Sequence, residues 1–104
     1  MFLLTGGGGA PAPPSAPTFS EVTPTSVSLT WDEPDNVAYY IVQYQQPEDG
    51  EVFRDIVYLN EWTVVGLEPD TNYEFEISSV NEVGQSPPSQ RATVSTLGVP
   101  GKWT

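Results

Sequence analysis

The chain has 104 residues, a net charge of -11, and neither cysteine nor histidine. This length fits one small domain with a single modest core, and disulfide bracing is excluded. Only three residues are basic, which excludes the counterion-displacing surface of a nucleic-acid binder and disfavours direct contact with anionic membranes.

The first segment is rich in glycine and proline. Residues 5–17 read TGGGGAPAPPSAP, in which four glycines favour flexibility and the prolines that follow favour stiffness. Residues 11–14 fit a PxxP pattern, but no arginine flanks them, so we interpret them as a spacer rather than as an SH3 ligand. We expect a flexible linker or leader over 1–16, a folded domain over 17–97 and a C-terminal linker over 98–104.

Short strands are predicted throughout the middle of the chain. Apolar and polar residues alternate there, as in residues 26–32, where Val27, Leu29 and Trp31 share one face. An Asp-Gly pair within residues 47–50 predicts a hairpin turn. Seven strands without a helical period predict an all-β fold, a two-sheet antiparallel β-sandwich. The predicted strands are 18–22, 26–32, 38–46, 51–57, 62–65, 72–81 and 91–96.

The order and spacing of several motifs resemble a fibronectin type III domain over about residues 14–97. The motifs are TSVSLTW in the second strand, YYIVQY in the third, GLEPDTNY before the sixth, and YEFEISSVNEVGQSPPS from the sixth strand toward the last. This resemblance implies an immunoglobulin-like sandwich of seven strands. It also implies that Tyr73 is a tyrosine corner, with its ring buried and its hydroxyl bonded to backbone near residues 67–69.

The residues expected to face inward have structural roles in this arrangement. Trp62 is expected to pack at the edge of the core. The expected core residues are Trp31, Tyr40, Val42, Tyr44, Leu67, Tyr73, Phe75 and Ile77.

No motif in the chain predicts catalysis, a cofactor or a metal site. A serine or threonine nucleophile would have no histidine base. Carboxylates cluster at residues 32–35 and 48–51, but both clusters lie in predicted turns, and a domain of this size has no room for a cleft between two fixed carboxylates. Residues 32–36 lack the spacing and glycine of an EF-hand, so we interpret them as a solvated loop.

A candidate partner surface is expected on the third strand and after the sixth. Tyr39 and Ile41 are predicted to point outward beside Val80, and Phe53 or Ile56 to join them. The alternative is that these are ordinary surface residues that pair across strands. The candidate surface comprises Tyr39, Ile41, Val80, Val83 and Gln85.

The loop over residues 81–88 carries an Arg-Gly-Asp integrin motif in some fibronectin type III domains. Val83, Gly84 and Gln85 occupy that place here, without either charge. Integrin binding through that motif is therefore not supported, and a connecting turn is the expected role.

The resemblance implies a non-catalytic module of a cell-surface receptor or adhesion protein. Such a module binds other proteins and spaces neighbouring domains of a longer chain at the cell surface. Three alternatives remain open: a structural repeat of an intracellular muscle protein, an accessory module of a secreted glycan-degrading enzyme, and an engineered binding scaffold. Flanking sequence would distinguish the natural contexts.

Overall fold

The computed structural model describes residues 9–48 and 50–99. The linkers assigned to 1–16 and 98–104, and Asp49 of the second carboxylate cluster, therefore lie partly or wholly outside the described residues. All seven predicted strands are present, and their ends differ from the predicted ones by at most about two residues, the usual uncertainty of strand ends. The strands are β1 (Thr18–Val22), β2 (Val27–Thr30), β3 (Tyr39–Gln45), β4 (Val52–Val57), β5 (Glu61–Val64), β6 (Asn72–Val80) and β7 (Ala92–Ser95).

The strands form two antiparallel sheets, which confirms the predicted seven-strand immunoglobulin-like sandwich. The smaller sheet has the order β1-β2-β5, and the larger has the order β4-β3-β6-β7. The pairing of β1 with β2 shifts between Phe19 and Glu21, where an irregularity interrupts the register. β4 and β5 are edge strands of different sheets, so the chain crosses from one sheet to the other between them.

The core lies between the sheets and follows from the alternation within each strand. Tyr44, which the sequence placed in the core, is half-buried and packs against it. Its ring stacks between Phe53 and Phe75, with centroid distances of 5.4 Å and 5.3 Å. The buried cluster is Val27, Leu29, Trp31, Tyr40, Val42, Val57, Val64, Leu67, Tyr73, Phe75 and Ile77.

The crossover from β5 to β6 is held by backbone and side-chain hydrogen bonds. Gly66 has a positive φ of 77°, a conformation that glycine adopts without steric cost. The next amide, that of Leu67, donates to the carbonyl of Thr25 at 2.9 Å. The amide of Glu68 donates to the phenol oxygen of Tyr73 at 2.9 Å, which places the corner hydrogen bond where the resemblance implies it.

Serine hydroxyls continue the pairing of β6 where prolines interrupt it. Residues 87 and 88 are prolines and have no N–H to donate. Ser86 donates its N–H to the carbonyl of Ser79 at 2.8 Å, and its Oγ accepts from the N–H of Ser79 at 2.9 Å. Ser89 bonds Ile77 in the same way, at 2.7 Å and 3.0 Å. β6 is therefore hydrogen-bonded along residues 86–89 even though these residues do not form a regular strand.

The segment before β1 lies against the sandwich. Pro11, Pro14 and Pro17 are buried, while residues 12, 13 and 15 are exposed. This period of three is typical of a polyproline II helix with one face covered. The part of the sequence interpreted as a spacer therefore packs on its own domain from Gly9 onward.

Candidate interaction surface

Four large side chains form two cross-strand pairs on the outer face of the larger sheet. Ile41 on β3 pairs with Ile56 on β4, and two residues away from each of them the rings of Tyr39 and of Tyr58, which follows β4 directly, lie 6.1 Å apart. We call these four residues the outer apolar cluster. Ile56 is 58% exposed and Tyr58 is 74% exposed, so the cluster is open to solvent from the β4 side.

The alternation of β3 explains why this cluster faces outward. Tyr40 and Val42 point into the core and are 3% and 0% exposed. Successive side chains of a strand point to opposite faces, so Tyr39 and Ile41 lie on the outside, where both are half-buried by their neighbours. The outward direction predicted for these two residues agrees with their position in the structure.

The other end of the same face carries polar and charged side chains that bond one another. Arg91 forms ion pairs with Glu74 and Glu76, each at 3.2 Å, and Arg54 donates to the side-chain oxygen of Gln43 at 3.0 Å. Such exposed pairs contribute at most about 1 kcal/mol each to stability. The outer face is therefore divided into an apolar end and a polar end, where Arg91 is ion-paired and Arg54 is hydrogen-bonded to the neutral amide of Gln43.

Val80 does not belong to an exposed surface, contrary to the sequence prediction. It is only 9% exposed, because it lies between Tyr39 on one neighbouring strand and Gln85 in an isolated bridge on the other side. A side chain on a central strand is covered by both neighbours even when it faces outward. Ser78 on the same strand is 7% exposed for the same reason.

Phe53 and Ile56 were expected as alternatives beside Tyr39, and the structure separates them. Ile56 joins the outer apolar cluster, whereas Phe53 lies on the inner face and stacks on Tyr44. Val83 and Gln85 are exposed, but they lie in the connection after β6 rather than among the four clustered side chains. The structure therefore divides the candidate partner residues between two regions.

Trp62 lies at the open edge of the sandwich, between the two sheets. Its indole N–H donates to the Asp55 carboxylate at 3.1 Å, which joins β5 of the smaller sheet to β4 of the larger. The side chain is 38% exposed. It is thus more exposed than the sequence suggested and lies outside the residues that pack against the core, and its hydrogen bond to Asp55 is an interaction that sequence reasoning did not find.

Two tyrosines of the larger sheet have raised pKa values. Burial, with a smaller contribution from the Glu33 carboxylate, raises the pKa of Tyr40. Burial, followed by Asp55 and then Tyr73, raises the pKa of Tyr44. Within residues 9–48 and 50–99, no three acidic side chains lie close enough together to hold a metal ion. In that same part of the chain, no helix is long and apolar enough to cross a membrane.

Comparison with protein families identifies the module. The sequence profile described as fibronectin type III domain matches residues 12–95. Such a domain is a non-catalytic module.

Several receptor-type phosphatases are similar in sequence to this chain. It is 39% identical over 90 residues to receptor-type tyrosine-protein phosphatase F of Danio rerio, and 40% identical over 90 residues to tyrosine-protein phosphatase Lar of Drosophila melanogaster. The matches cover 83% and 80% of this chain, but only 5% and 4% of those proteins. The chain thus spans a small part of the relatives it matches.

Solved structures share the same fold. Domains A168–A170 of titin superpose with a TM-score of 0.77 at 30% identity, over 85% of this chain and 33% of that one. The FN1–FN3 domains of chicken CNTN1 superpose with a TM-score of 0.77 at 26% identity, over 88% of this chain and 35% of that one.

Proposed function

Because the chain belongs to the fibronectin type III domain family, we propose that it is an extracellular module of a cell-surface receptor. In this role it binds a protein partner and spaces the domains on either side of it. The similar receptor-type phosphatases favour this setting over an intracellular repeat, an accessory module of a glycan-degrading enzyme, or an engineered scaffold. Titin shares the fold equally well, so the fold alone does not choose among these settings.

The outer apolar cluster is the observation that supports a binding role. Half-buried Tyr39 and Ile41 lie beside exposed Ile56 and Tyr58, while the other end of the same face carries polar side chains that bond one another. Aromatic residues are enriched at the centres of protein interfaces, where they bury a large area at low entropic cost. The cluster therefore resembles the apolar centre of an interface with a polar rim.

Charge indicates the kind of protein that suits this surface. The chain carries a net charge of -11, and both arginines of the described residues are already engaged with neighbouring side chains. A second copy of the domain would be repelled, whereas a partner with an apolar centre and a basic rim would be attracted. We therefore propose that Tyr39 and Ile41, with Ile56 and Tyr58, contact such a partner.

Binding of the purified domain to intact cells tests this function. A Tyr39→Ser, Ile41→Ser variant removes half of the cluster, and a Val65→Ser, Leu97→Ser variant removes two exposed apolar residues elsewhere. We expect the parent and the second variant to bind alike, and the first to lose at least about tenfold in affinity, or about 1.4 kcal/mol. Equal binding by both folded variants would contradict the assignment of the cluster. Binding by none of the proteins would leave only the spacing role.

A further inference from the structure

The side chain of Asn81 uses its full hydrogen-bonding capacity. Its oxygen accepts from the backbone amides of Val83 at 2.8 Å and Gly84 at 3.2 Å. Its amide nitrogen donates to the carbonyls of Gly9 at 3.2 Å and Asn36 at 3.0 Å. An asparagine amide offers two N–H donors and one oxygen with two lone pairs, so all four positions are occupied.

These four bonds join three segments that are distant in sequence. The oxygen organises the turn that follows β6, and the nitrogen ties that turn to the loop between β2 and β3 and to the segment before β1. Asn36 has a positive φ of 63°, which asparagine tolerates better than most residues do. Asn81 is therefore the point where the N-terminal segment meets both loops at this end of the sandwich.

The N-terminal segment is also held along its length. Pro11, Pro14 and Pro17 are buried at intervals of three residues. Between them, the Ser15 hydroxyl accepts from the backbone amide of Asp32 at 3.2 Å. Ala10 packs near the turn after β6, since its Cβ lies 3.7 Å from where a Cβ on Gly84 would be.

A segment of this composition loses little entropy when it is fixed. Proline already restricts φ, and polyproline II is a conformer that such sequences populate before any contact is made. The contacts to Asn81 and Asp32 therefore act on a chain that is already stiff.

We propose that residues 9–17 are a fixed strap, clamped by Asn81, which moves the point where the preceding chain is anchored from the start of β1 to the loops around Asn36 and Asn81. The folded unit then begins at Gly9 rather than at residue 17. The proposal rests on the spacing role proposed above and specifies it, because the distance that a spacer maintains depends on where each connection is anchored. The segment that covers this surface is residues 9–17 of the same chain.

The strap gives Val83 a role different from that of the outer apolar cluster. Val83 is 55% exposed and lines a shallow depression with Val37 and Ala38, directly beside the clamp. We therefore assign residues 36–38 and 81–84 to the anchorage of the strap.

Backbone relaxation of the labelled chain tests the strap. Prolines lack amides, so the probes are the amides of Ala10, Ala12, Ser15 and Ala16. We expect order parameters of about 0.85 in the parent, as in rigid backbone, and below about 0.6 in an Asn81→Asp variant. Aspartate keeps the two acceptor bonds of Asn81 but loses both donor bonds. Asn72→Asp is the matched control, because Asn72 uses its side-chain oxygen to accept from Ser95, and aspartate retains that oxygen.

Spin labels test whether the strap has a fixed position on the sandwich. Since the chain has no cysteine, Ala12→Cys and Thr93→Cys introduce the only two labelling sites. We expect one narrow distance distribution in the parent and a loss of that narrow peak in Asn81→Asp. Order parameters below about 0.6 in the parent strap, or an unchanged strap in a folded Asn81→Asp protein, would overturn the proposal. Neither result bears on the outer apolar cluster, so the two proposals fail separately.

Discussion

The backbone amide of Glu68 and the phenol oxygen of Tyr73 are joined by a hydrogen bond of 2.9 Å. Tyr73 is 3% exposed, so its oxygen has exchanged water for this one donor. The bond connects the start of β6 to the chain that has just left β5. It therefore fixes the connection by which the chain crosses from the smaller sheet to the larger one.

Replacing Tyr73 with phenylalanine is expected to destabilise the domain by about 1–2 kcal/mol, because the amide of Glu68 is left without its acceptor. For a domain of this size, the melting temperature should fall by about 4–8 °C for each kcal/mol. Thermal unfolding followed by circular dichroism measures this change. Tyr40→Phe is the control, since the Tyr40 hydroxyl is buried without a protein hydrogen bond among the described residues. Equal losses in both variants would show that the corner bond is not what stabilises the crossover.

The two serine hydroxyls that bond β6 should also contribute to stability. In Ser86→Ala and Ser89→Ala, the buried amides of Ser79 and Ile77 lose their acceptors, at an expected cost of about 1–3 kcal/mol each. Hydrogen exchange should show faster exchange at Ser79 in the first variant and at Ile77 in the second. Ser20→Ala, at an exposed serine, should leave both amides protected. Exchange rates that stay unchanged at both amides would mean that the hydroxyls do not replace the missing ladder bonds.

The alternation within single strands was enough to predict the sandwich and the direction of Tyr39 and Ile41. It failed for Val80, because burial on a central strand depends on which strands lie on either side, and periodicity along one strand does not contain that information. The proline period of the strap was visible in the sequence, but no pattern showed that a surface would cover it. Asn81 was equally hidden, since its partners at Gly9 and Asn36 lie 72 and 45 residues away.

Alkaline pH should destabilise the domain through its two inner-face tyrosines. Burial raises the pKa of both Tyr40 and Tyr44 in the folded state, so the unfolded chain loses these protons first. The stability that they contribute is therefore complete below about pH 10 and is lost as the pH rises through the folded-state values. Chemical unfolding at a series of alkaline pH values measures how steeply the free energy of unfolding falls with pH. This slope should be smaller in a Tyr40→Phe, Tyr44→Phe variant. Tyr58→Phe, at a side chain that is 74% exposed, should retain the parental slope. If the Tyr40→Phe, Tyr44→Phe variant also lost stability with pH as steeply as the parent does, the loss at alkaline pH would come from other groups.

Asp55 should have two separable effects at the open edge of the sandwich. Its carboxylate accepts from the indole of Trp62 at 3.1 Å, and its charge contributes to the raised pKa of Tyr44. Asp55→Asn keeps an acceptor oxygen but removes the charge, so the pKa of Tyr44 should move toward its ordinary value while the emission of Trp62 stays as in the parent. Asp55→Ala removes both, so the emission should change as well.

Tyrosinate absorbance, compared with a Tyr44→Phe background, measures the first effect, and tryptophan fluorescence measures the second. Glu21→Gln on β1 is the control for loss of one negative charge in the smaller sheet, and it should change neither signal. If Asp55→Asn shifted the Tyr44 titration no more than Glu21→Gln does, the effect would come from net charge. In that case the hydrogen bond between Trp62 and Asp55 would join the two sheets without affecting the pKa of Tyr44.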